Sequence, residues 1–546
     1  MAPRLNLPGR GESYWMHTSG TTAYPPLAED IEVDVAVIGG GIAGLSTAWE
    51  LTRAGRTVAV LEADRIAAGV TGYTTAKVCA LHTLVYDRLR RVHGEEAARL
   101  YATSQQGAVE RVAEICAEVG IDCDLERAPA FTYTVRPEDT RVLRAEAEAA
   151  REAGLPARYT EDTGLPFAVA GAVRLDDQAQ FHPRAYLLAL AEDLIAQGCV
   201  IHERSRVTEM MGGRPCTVTT EAQHTVTAQV VVVATHYPIF DRAFLFARLQ
   251  PRRELVVAAP LASDPGPPGM FITEDEGKRS VRTAPYGNDG KRLLIVTGES
   301  FTPGTGDAAA SFARLDSWMR EHFAVEDTAY HWAAQDNESG DGIPMIGPLH
   351  PGARHAYVAT GFGGWGMSSG VMAGQLLSAL ITGGDAPAAD LYDPRRVWSA
   401  VREAHALMRQ QADVARHFVG DRLHTAHVDS VTDIPPGSGA VVRVDGHRCA
   451  VHRAEDGTVS AVSARCTHLG CLVAFNAAET TWECPCHGSR FATDGSVLQG
   501  PAVRPLARLV LPGITGRGSS PPPDDPPDGG EAPPDDEEGG ARTSGP

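Results

Sequence analysis

The sequence predicts an α/β protein of several domains that ends in a small all-β domain. Three observations carry this. A buried strand, a glycine turn, an amphipathic helix and a second strand follow one another in IEVDVAVIGGGIAGLSTAWELTRAGRTVAVLEAD, residues 31–64. Short alternating strands and turns fill IPPGSGAVVRVDGHRCAVHRAEDGTVSAVSARC, residues 434–466. The chain of 546 residues exceeds what one hydrophobic core can span and fits roughly three to four domains.

Composition narrows the class. Hydrophobic residues at 43% and charged residues at 22% are ordinary for a globular chain in water. No run of 18 uninterrupted apolar residues is present, so no stable membrane insertion is expected. The start, MAPRLNLPGRGESYWMHTSG, has neither a secretory apolar core nor a twin-arginine signal, and a cytoplasmic location is the expectation. A formal charge of -20 argues against nucleic acid or an anionic membrane as partner. Part of that charge is local, because residues 513–546 carry eight acidic side chains against two arginines in a Pro/Gly-rich run. Such a segment buries too little apolar surface to order itself and is expected to be a disordered tail.

The first strand–turn–helix–strand unit has chemistry built into its spacing. Gly39, Gly41 and Gly44 form G-x-G-x-x-G directly after the apolar run VAVI. In that register the turn tightens, the backbone comes close to a pyrophosphate, and the helix packs on the strand with its N-terminus toward the phosphates. Glu62 ends the second strand, where a carboxylate accepts ribose hydroxyls. Dinucleotide binding follows, but NAD and FAD share the fingerprint. Downstream, IAAGVTGYTTAK (residues 66–77) and ATGFGGWGMSSGVMAGQLLSALITG (residues 359–383) supply two more small-residue turns, the latter opening a second long helix.

With VIGGGIAGL, LEA, GVTGYTTAK, FHPRAYLLALAEDLIAQGCVIHERSRVTEM, VVVVATHYP, WAAQDNESGDGIPMIGP and GFGGWGMSSG, residues 31–395 resemble the D-amino-acid-oxidase and glycine-oxidase-like superfamily of FAD enzymes. The resemblance implies an extended FAD and a cofactor set of Gly39, Gly41, Ile42, Ala43, Gly44, Glu62, Ala63, Thr71, Thr74 and Thr75. To these it adds Val207 at the adenine side, Ala234 and Thr235 closing the site, and Gly361, Gly363, Gly364, Trp365, Gly366 and Met367 beside the isoalloxazine. FAD-binding parts are expected over about 31–105, 174–250 and 331–395, with an inserted α+β substrate domain over about 106–173 and 251–330. The first 30 residues are an N-terminal arm.

Substrate residues are harder to read. A family member oxidises a carbon next to an amine, which needs few obligatory side chains. Arg282 is a candidate clamp for a substrate carboxylate and Lys77 a candidate for tuning the flavin, each against a purely structural role. His82, His182, Tyr237 and His331 are weaker candidates for polar groups in the cavity.

Six of the ten cysteines, Cys79, Cys116, Cys123, Cys199, Cys216 and Cys449, are scattered and expected to be reduced and buried. The other four cluster. Cys466-Thr-His468 is followed after 15 residues by Cys484-Pro-Cys-His487, so each loop offers one thiolate and one imidazole. Zinc would accept two Cys and two His. CTHLGC and CPCHGS also resemble Rieske [2Fe-2S] proteins, in which two Cys hold one iron and two His the other. The resemblance implies Cys466, His468, Cys484 and His487 as ligands and a Cys471–Cys486 disulfide tying the loops together. It further gives Ser489 as a donor to a cluster sulfur, Phe491 where high-potential members often place tyrosine, and Gly500-Pro501-Ala502 as a covering loop. A linking helix is expected over 396–426 and the Rieske domain over 427–512.

The expected whole is an α/β FAD-binding Rossmann-like domain with an inserted α+β substrate domain, then a small all-β Rieske domain and an acidic tail. A flavin takes two electrons together and a Rieske centre passes them singly. The leading expectation is a dehydrogenase for a small-molecule substrate, an amine or amino acid. Its electrons would leave to a one-electron carrier such as a ferredoxin, cytochrome or quinone-linked acceptor. An O2-using oxidase with a structural cluster, a reversed electron flow, and a redox-sensing interaction protein are the alternatives.

Overall fold

The apolar run that closes Ile31–Ile38 is buried on both faces, which places this strand at the centre of a sheet. In the computed structural model, which describes residues 7–240, 245–262, 266–275, 277–396, 431–444 and 446–511, that sheet has eight strands. Its path runs Met345–Pro348, Ala356–Thr360, Thr225–Val233, Ile31–Ile38, Val58–Leu61, Val200–His202. All neighbours pair in parallel except the first two. Val207–Met211 and Cys216–Thr220 extend it as an antiparallel ribbon on Thr225–Val233.

The helix Ile42–Arg53 returns the chain from the first strand to the second and packs on Gly366–Thr382. Small residues set how close the two helices come. A Cβ on Gly374 would lie 2.7 Å from the Ser46 carbonyl carbon, and one on Gly370 would lie 2.7 Å from the Ile42 side chain. Either methyl would push the helices apart and shift the glycine turn at the head of Ile42–Arg53.

A second sheet of nine strands lies beside the first, in the order Tyr330–Ser339, Leu249–Pro260, Arg292–Phe301, Arg279–Pro285, Met270–Thr273, Glu126–Thr134, Gly171–Gln180, Lys77–Val78, with Arg158–Thr160 on the edge of Gly171–Gln180. Gly171–Gln180 and Tyr330–Ser339 fall largely in sequence stretches read as FAD-binding, yet both are strands of the second sheet. Their partners are remote in sequence, and local pattern carries no trace of a long-range ladder.

The N-terminal arm is stitched into the body from residue 7 onward. Tyr14 and Trp15 are buried, Ser13 caps the short helix Tyr14–Thr18, and Thr22 and the Tyr24 amide bond the buried carboxylate of Glu203.

The last domain consists of a three-stranded sheet, Ser438–Val444, His447–Arg453 and Val459–Ser463, and a four-stranded one, Ala474–Asn476, Thr481–Glu483, Arg490–Phe491 and Val497–Gln499. Its core gathers Val462, Trp482 and Phe491 with Cys466, Cys471, Cys484 and Cys486. The expected linking helix, apart from Arg396, and the acidic tail lie outside the described residues. No helix among the described residues is long and apolar enough to cross a membrane.

Candidate functional site

Two cavities and one pair of loops hold nearly all of the expected site residues. The larger cavity, about 620 Å³, opens over the glycine turn and is lined by Gly39, Gly41, Ile42, Ala43, Glu62, Ala63, Thr71, Thr74, Val207, Ala234, Thr235, Gly364, Gly366 and Met367. The smaller, about 340 Å³, adjoins it through Thr74, Gln335, Asp336, Phe362 and Gly364, and takes in Thr75, Lys77, Gly361, Gly363 and Trp365.

The glycine turn fits a dinucleotide. Gly39 has φ 109°, a conformation that L side chains rarely adopt, and a Cβ there would lie 2.4 Å from the Ala234 carbonyl oxygen. Gly41 faces the cavity, where the nearest atom to an added Cβ is Thr71 Oγ1 at 3.2 Å. That open space is what a pyrophosphate needs. Gly44 lines neither cavity: a Cβ would fall 1.9 Å from the Gly39 oxygen, so its part is to let the helix lie on the turn. Glu62 accepts from the Gly40 amide at 2.7 Å and the Asp64 amide at 2.9 Å, and its carboxylate stands at the cavity wall. Burial raises its pKa, opposed by those two amides.

In the smaller cavity the His82 ring stacks on Trp365 at 4.5 Å and bonds Tyr101, Cys79 and Ser368. Burial lowers the His82 pKa to about 3, so its imidazole is neutral. Lys77 Nζ hydrogen-bonds Ser280 and sits 5.9 Å from the centre of the Trp365 ring. Arg282, expected as a carboxylate clamp, is placed otherwise. Its guanidinium donates to the carbonyls of Thr75, Ala76 and Thr283, lies over Trp15, and reaches neither cavity. Its Nε and Nη1 donors are spent on backbone carbonyls. His182 is likewise structural, since Nδ1 accepts from the Ala185 amide and Nε2 contacts Thr18. Tyr237 and His331 line the larger cavity.

The Cys/His loops form the third part. Each closes on itself by the same pair of bonds: Cys466 N to Cys471 O and Gly470 N to Cys466 O in one, Cys484 N to Ser489 O and Gly488 N to Cys484 O in the other. Cys471 and Cys486 are joined by a disulfide and are buried, which shields the bridge from external thiols. The sulfurs of Cys471, Cys484 and Cys486 lie within 4.8 Å of one another, but a disulfide pair is not a thiolate donor set. Cys466 and Cys484 remain free, buried and hydrogen-bonded to each other.

The His468 and His487 rings stand 4.9 Å apart at 88°, and Nδ1 of each is buried without a hydrogen-bond partner among the described residues. Burial holds both imidazoles neutral, lowering His468 to about 4 and His487 to about 3. Two facing thiols and two orphaned imidazole nitrogens are the donor set of a [2Fe-2S] centre with two Cys and two His. Ser489 Oγ accepts from the Ala502 amide at 3.0 Å and also bonds toward the Cys466 sulfur.

The family model for FAD dependent oxidoreductase matches residues 34–380, and that for the Rieske [2Fe-2S] domain matches residues 424–510. The chain belongs to the FAD dependent oxidoreductase family and carries a C-terminal Rieske domain. FAD and a [2Fe-2S] cluster are its cofactors. The protein YhfW of Bacillus subtilis (strain 168), named for a Rieske 2Fe-2S iron-sulfur protein, is 34% identical over 502 residues, 92% of this chain and 98% of its own. Gamma-glutamylputrescine oxidoreductase of Escherichia coli (strain K12) is 27% identical over 237 residues, 42% of this chain and 55% of its own. The structure of glycine oxidase from Geobacillus kaustophilus superposes with a TM-score of 0.53 at 21% identity, covering 65% of this chain and 96% of that one.

The contact between the two cofactor domains was invisible in the sequence. Arg253, fully buried on Leu249–Pro260, pairs with Glu479 at 2.6 Å and with Glu483, both in the Rieske domain. Glu483 is held also by the Gly304 amide at 2.8 Å, and Gln335 Nε2 donates to the Gly488 carbonyl at 2.9 Å. Nothing local marks Arg253 out from Arg252 beside it; only the strand's alternation turns one toward the Rieske domain and the other to solvent.

Proposed function

We propose that this protein oxidises a small amine or amino acid at FAD and passes the electrons one at a time through its Rieske cluster to an external carrier, as a dehydrogenase. One observation carries the reading: Tyr237 belongs to both cofactor sites. The residue lines the dinucleotide cavity, and its ring meets His487 at 6.2 Å and His468 at 6.5 Å between centroids. Phe246 covers His487 from the same domain at 5.8 Å. Ala234 and Thr235, at the end of the strand Thr225–Val233, lead straight into Tyr237, so the segment that closes the FAD site also touches the cluster's imidazoles.

FAD when bound supplies a two-electron acceptor, and the cluster a one-electron carrier. The glycine turn, Glu62 and the helix start at Ile42 would hold the dinucleotide, with Gly361 to Met367 along its flavin end. Cys466, Cys484, His468 and His487 would hold the cluster. The smaller cavity suits the substrate. Its Arg252, Lys278 and Arg279 are neutralised by Glu338, Glu274 and Glu299 at 3.4, 3.3 and 2.7 Å. Lys77 has a hydroxyl for a partner, Arg88 a backbone carbonyl, and Glu254 no ion pair among the described residues, so groups of both charge types face the space and suit a substrate bearing an amine and a carboxylate. The names of the glycine oxidase and gamma-glutamylputrescine oxidoreductase relatives support an amine-bearing substrate.

Anaerobic mixing of the holoenzyme with a panel of amines and amino acids tests this. A substrate should bleach the flavin and then raise the electron paramagnetic resonance signal of a reduced Rieske cluster, with little peroxide formed on admitting air. Flavin bleaching with stoichiometric peroxide and an oxidised cluster throughout would instead make the protein an oxidase.

A further inference from the structure

We infer that the FAD site is shared between domains, with Gln499 of the Rieske domain hydrogen-bonding the adenosine half of FAD so that FAD binding and Rieske docking stabilise each other. The cavity that holds the glycine turn has a second wall. Facing Gly39, Gly41 and Glu62 are Glu479, Thr480, Arg490, Gln499 and Gly500, all from the Rieske domain.

Most of the polar capacity on that wall is already used. Glu479 accepts from Arg253 and Arg490, and Arg490 lies 3.0 Å from Glu479 and 3.3 Å from Glu483. Arg490 Nε has an ion-pair partner in Glu483 but no hydrogen bond, whereas Gln499 Nε2, shielded from solvent, has neither among the described residues, although its backbone closes the strand Val497–Gln499. A buried amide without a partner is costly, and the group that completes this cavity is the ligand. Carboxamide oxygen and nitrogen are exchangeable by a flip, and adenosine offers both acceptors and donors, so either orientation finds a partner.

The position of Gln499 points to the adenosine end. Arg206 donates to the Val497 carbonyl at 3.4 Å, and an added Cβ on Gly500 would lie 3.6 Å from Ile239. Arg206 precedes Val207, the residue expected at the adenine, and both line the cavity. The rest of the domain contact fixes this wall in place, through Arg253 on Glu479 and Glu483 and through Gln335 on Gly488. A ligand touching both walls binds the docked arrangement better than the undocked one, and linkage makes the effect reciprocal.

The inference rests on FAD occupying this cavity, and the test separates the two. Full-length, cluster-loaded protein is stripped of flavin, and FAD is titrated back by fluorescence while the cluster's visible circular dichroism is followed. Gln499→Leu should raise the FAD Kd about five- to tenfold, the loss of one hydrogen bond, and leave the cluster spectrum unchanged. Arg253→Met, which lines no cavity, should also weaken FAD, because it leaves two carboxylates buried and loosens the dock. FAD should raise the melting temperature of the cluster signal in the parent and less so in Gln499→Leu. An unchanged Kd in Gln499→Leu, or a weakened one accompanied by a lost cluster spectrum, overturns the inference. Gly41→Val is the reference: if it retains FAD, the cavity itself is wrongly assigned; if it loses FAD while Gln499→Leu does not, only the shared wall fails.

Discussion

At the scale of the residue, similar side chains divide into ligand-facing and structural by their surroundings. Gly41 and Gly44 share one fingerprint but face different things, and replacements should part accordingly. Gly41→Ala puts a methyl 3.2 Å from a hydroxyl at the cavity edge, so the protein should fold with its cluster and lose most of its FAD. Gly44→Ala drives a methyl to 1.9 Å from a backbone oxygen, so soluble protein should fall and the melting temperature with it, whatever the FAD concentration. Equal melting temperatures for the two would refute the division. Lys77 and Arg282 divide likewise, the first in the cavity and the second on backbone carbonyls. Burial lowers the Lys77 pKa to about 8 from 10.5, with Cys79 and Glu254 opposing and Arg282 assisting. The folded pKa lies below the unfolded one, so between these values the unfolded chain binds the extra proton and stability rises with pH. Below pH 8 the buried ammonium carries its whole desolvation cost, on the order of 3 kcal/mol at most. Lys77→Met should therefore melt higher than the parent at pH 7, and the gain should vanish as pH approaches 10.5. A gain independent of pH would mean that packing, rather than charge, is responsible.

At the scale of the element, legibility followed locality. The unit from Ile31 to Leu61 was readable because strand, turn and helix each leave a short periodic mark and the glycines sit at fixed offsets. The ligand loops were readable for the same reason, since Cys466, His468, Cys484 and His487 lie within two short loops. The sheet that Tyr330–Ser339 joins is not legible, because its ladder partner, Leu249–Pro260, is some eighty residues away and alternation alone does not say which strand it pairs with. Arg282 misled for a related reason: a strand position tells which face a side chain takes, not whether carbonyls from a distant turn already fill its donors. Within the Rieske loops the imidazoles should set the redox potential. His487→Cys replaces a neutral ligand by a thiolate and adds negative charge at one iron, so any cluster that assembles should have a lower potential. Redox titration followed by electron paramagnetic resonance reads this, and an unchanged or raised potential would remove His487 from the ligand set.

At the scale of the whole molecule, what matters is that two cofactor domains meet through buried groups rather than across a solvated linker. A domain dock built on Arg253, a fully buried guanidinium between two carboxylates, is costly to open because opening leaves charges unpaired until water reaches them. The docked position is therefore the resting one, and His487 spends it against Tyr237 and Phe246. His468 is half-buried and so the more exposed of the two imidazoles. Electron exit through the cluster then has a sharp consequence. Cys484→Ala removes a ligand and with it the cluster, yet Cys484 lines neither the dinucleotide nor the substrate cavity. Such a variant should keep FAD and keep its reduction by substrate, while steady-state turnover with a one-electron acceptor falls by two orders of magnitude or more. Loss of a cluster also loosens the loops it crosslinks, so FAD content and the rate of flavin bleaching in a single turnover must be measured on the same preparation. Bleaching at the parental rate with turnover abolished puts the cluster on the path out of the flavin. Full turnover without the cluster takes it off that path and leaves the Rieske domain as a wall of the FAD site and nothing more.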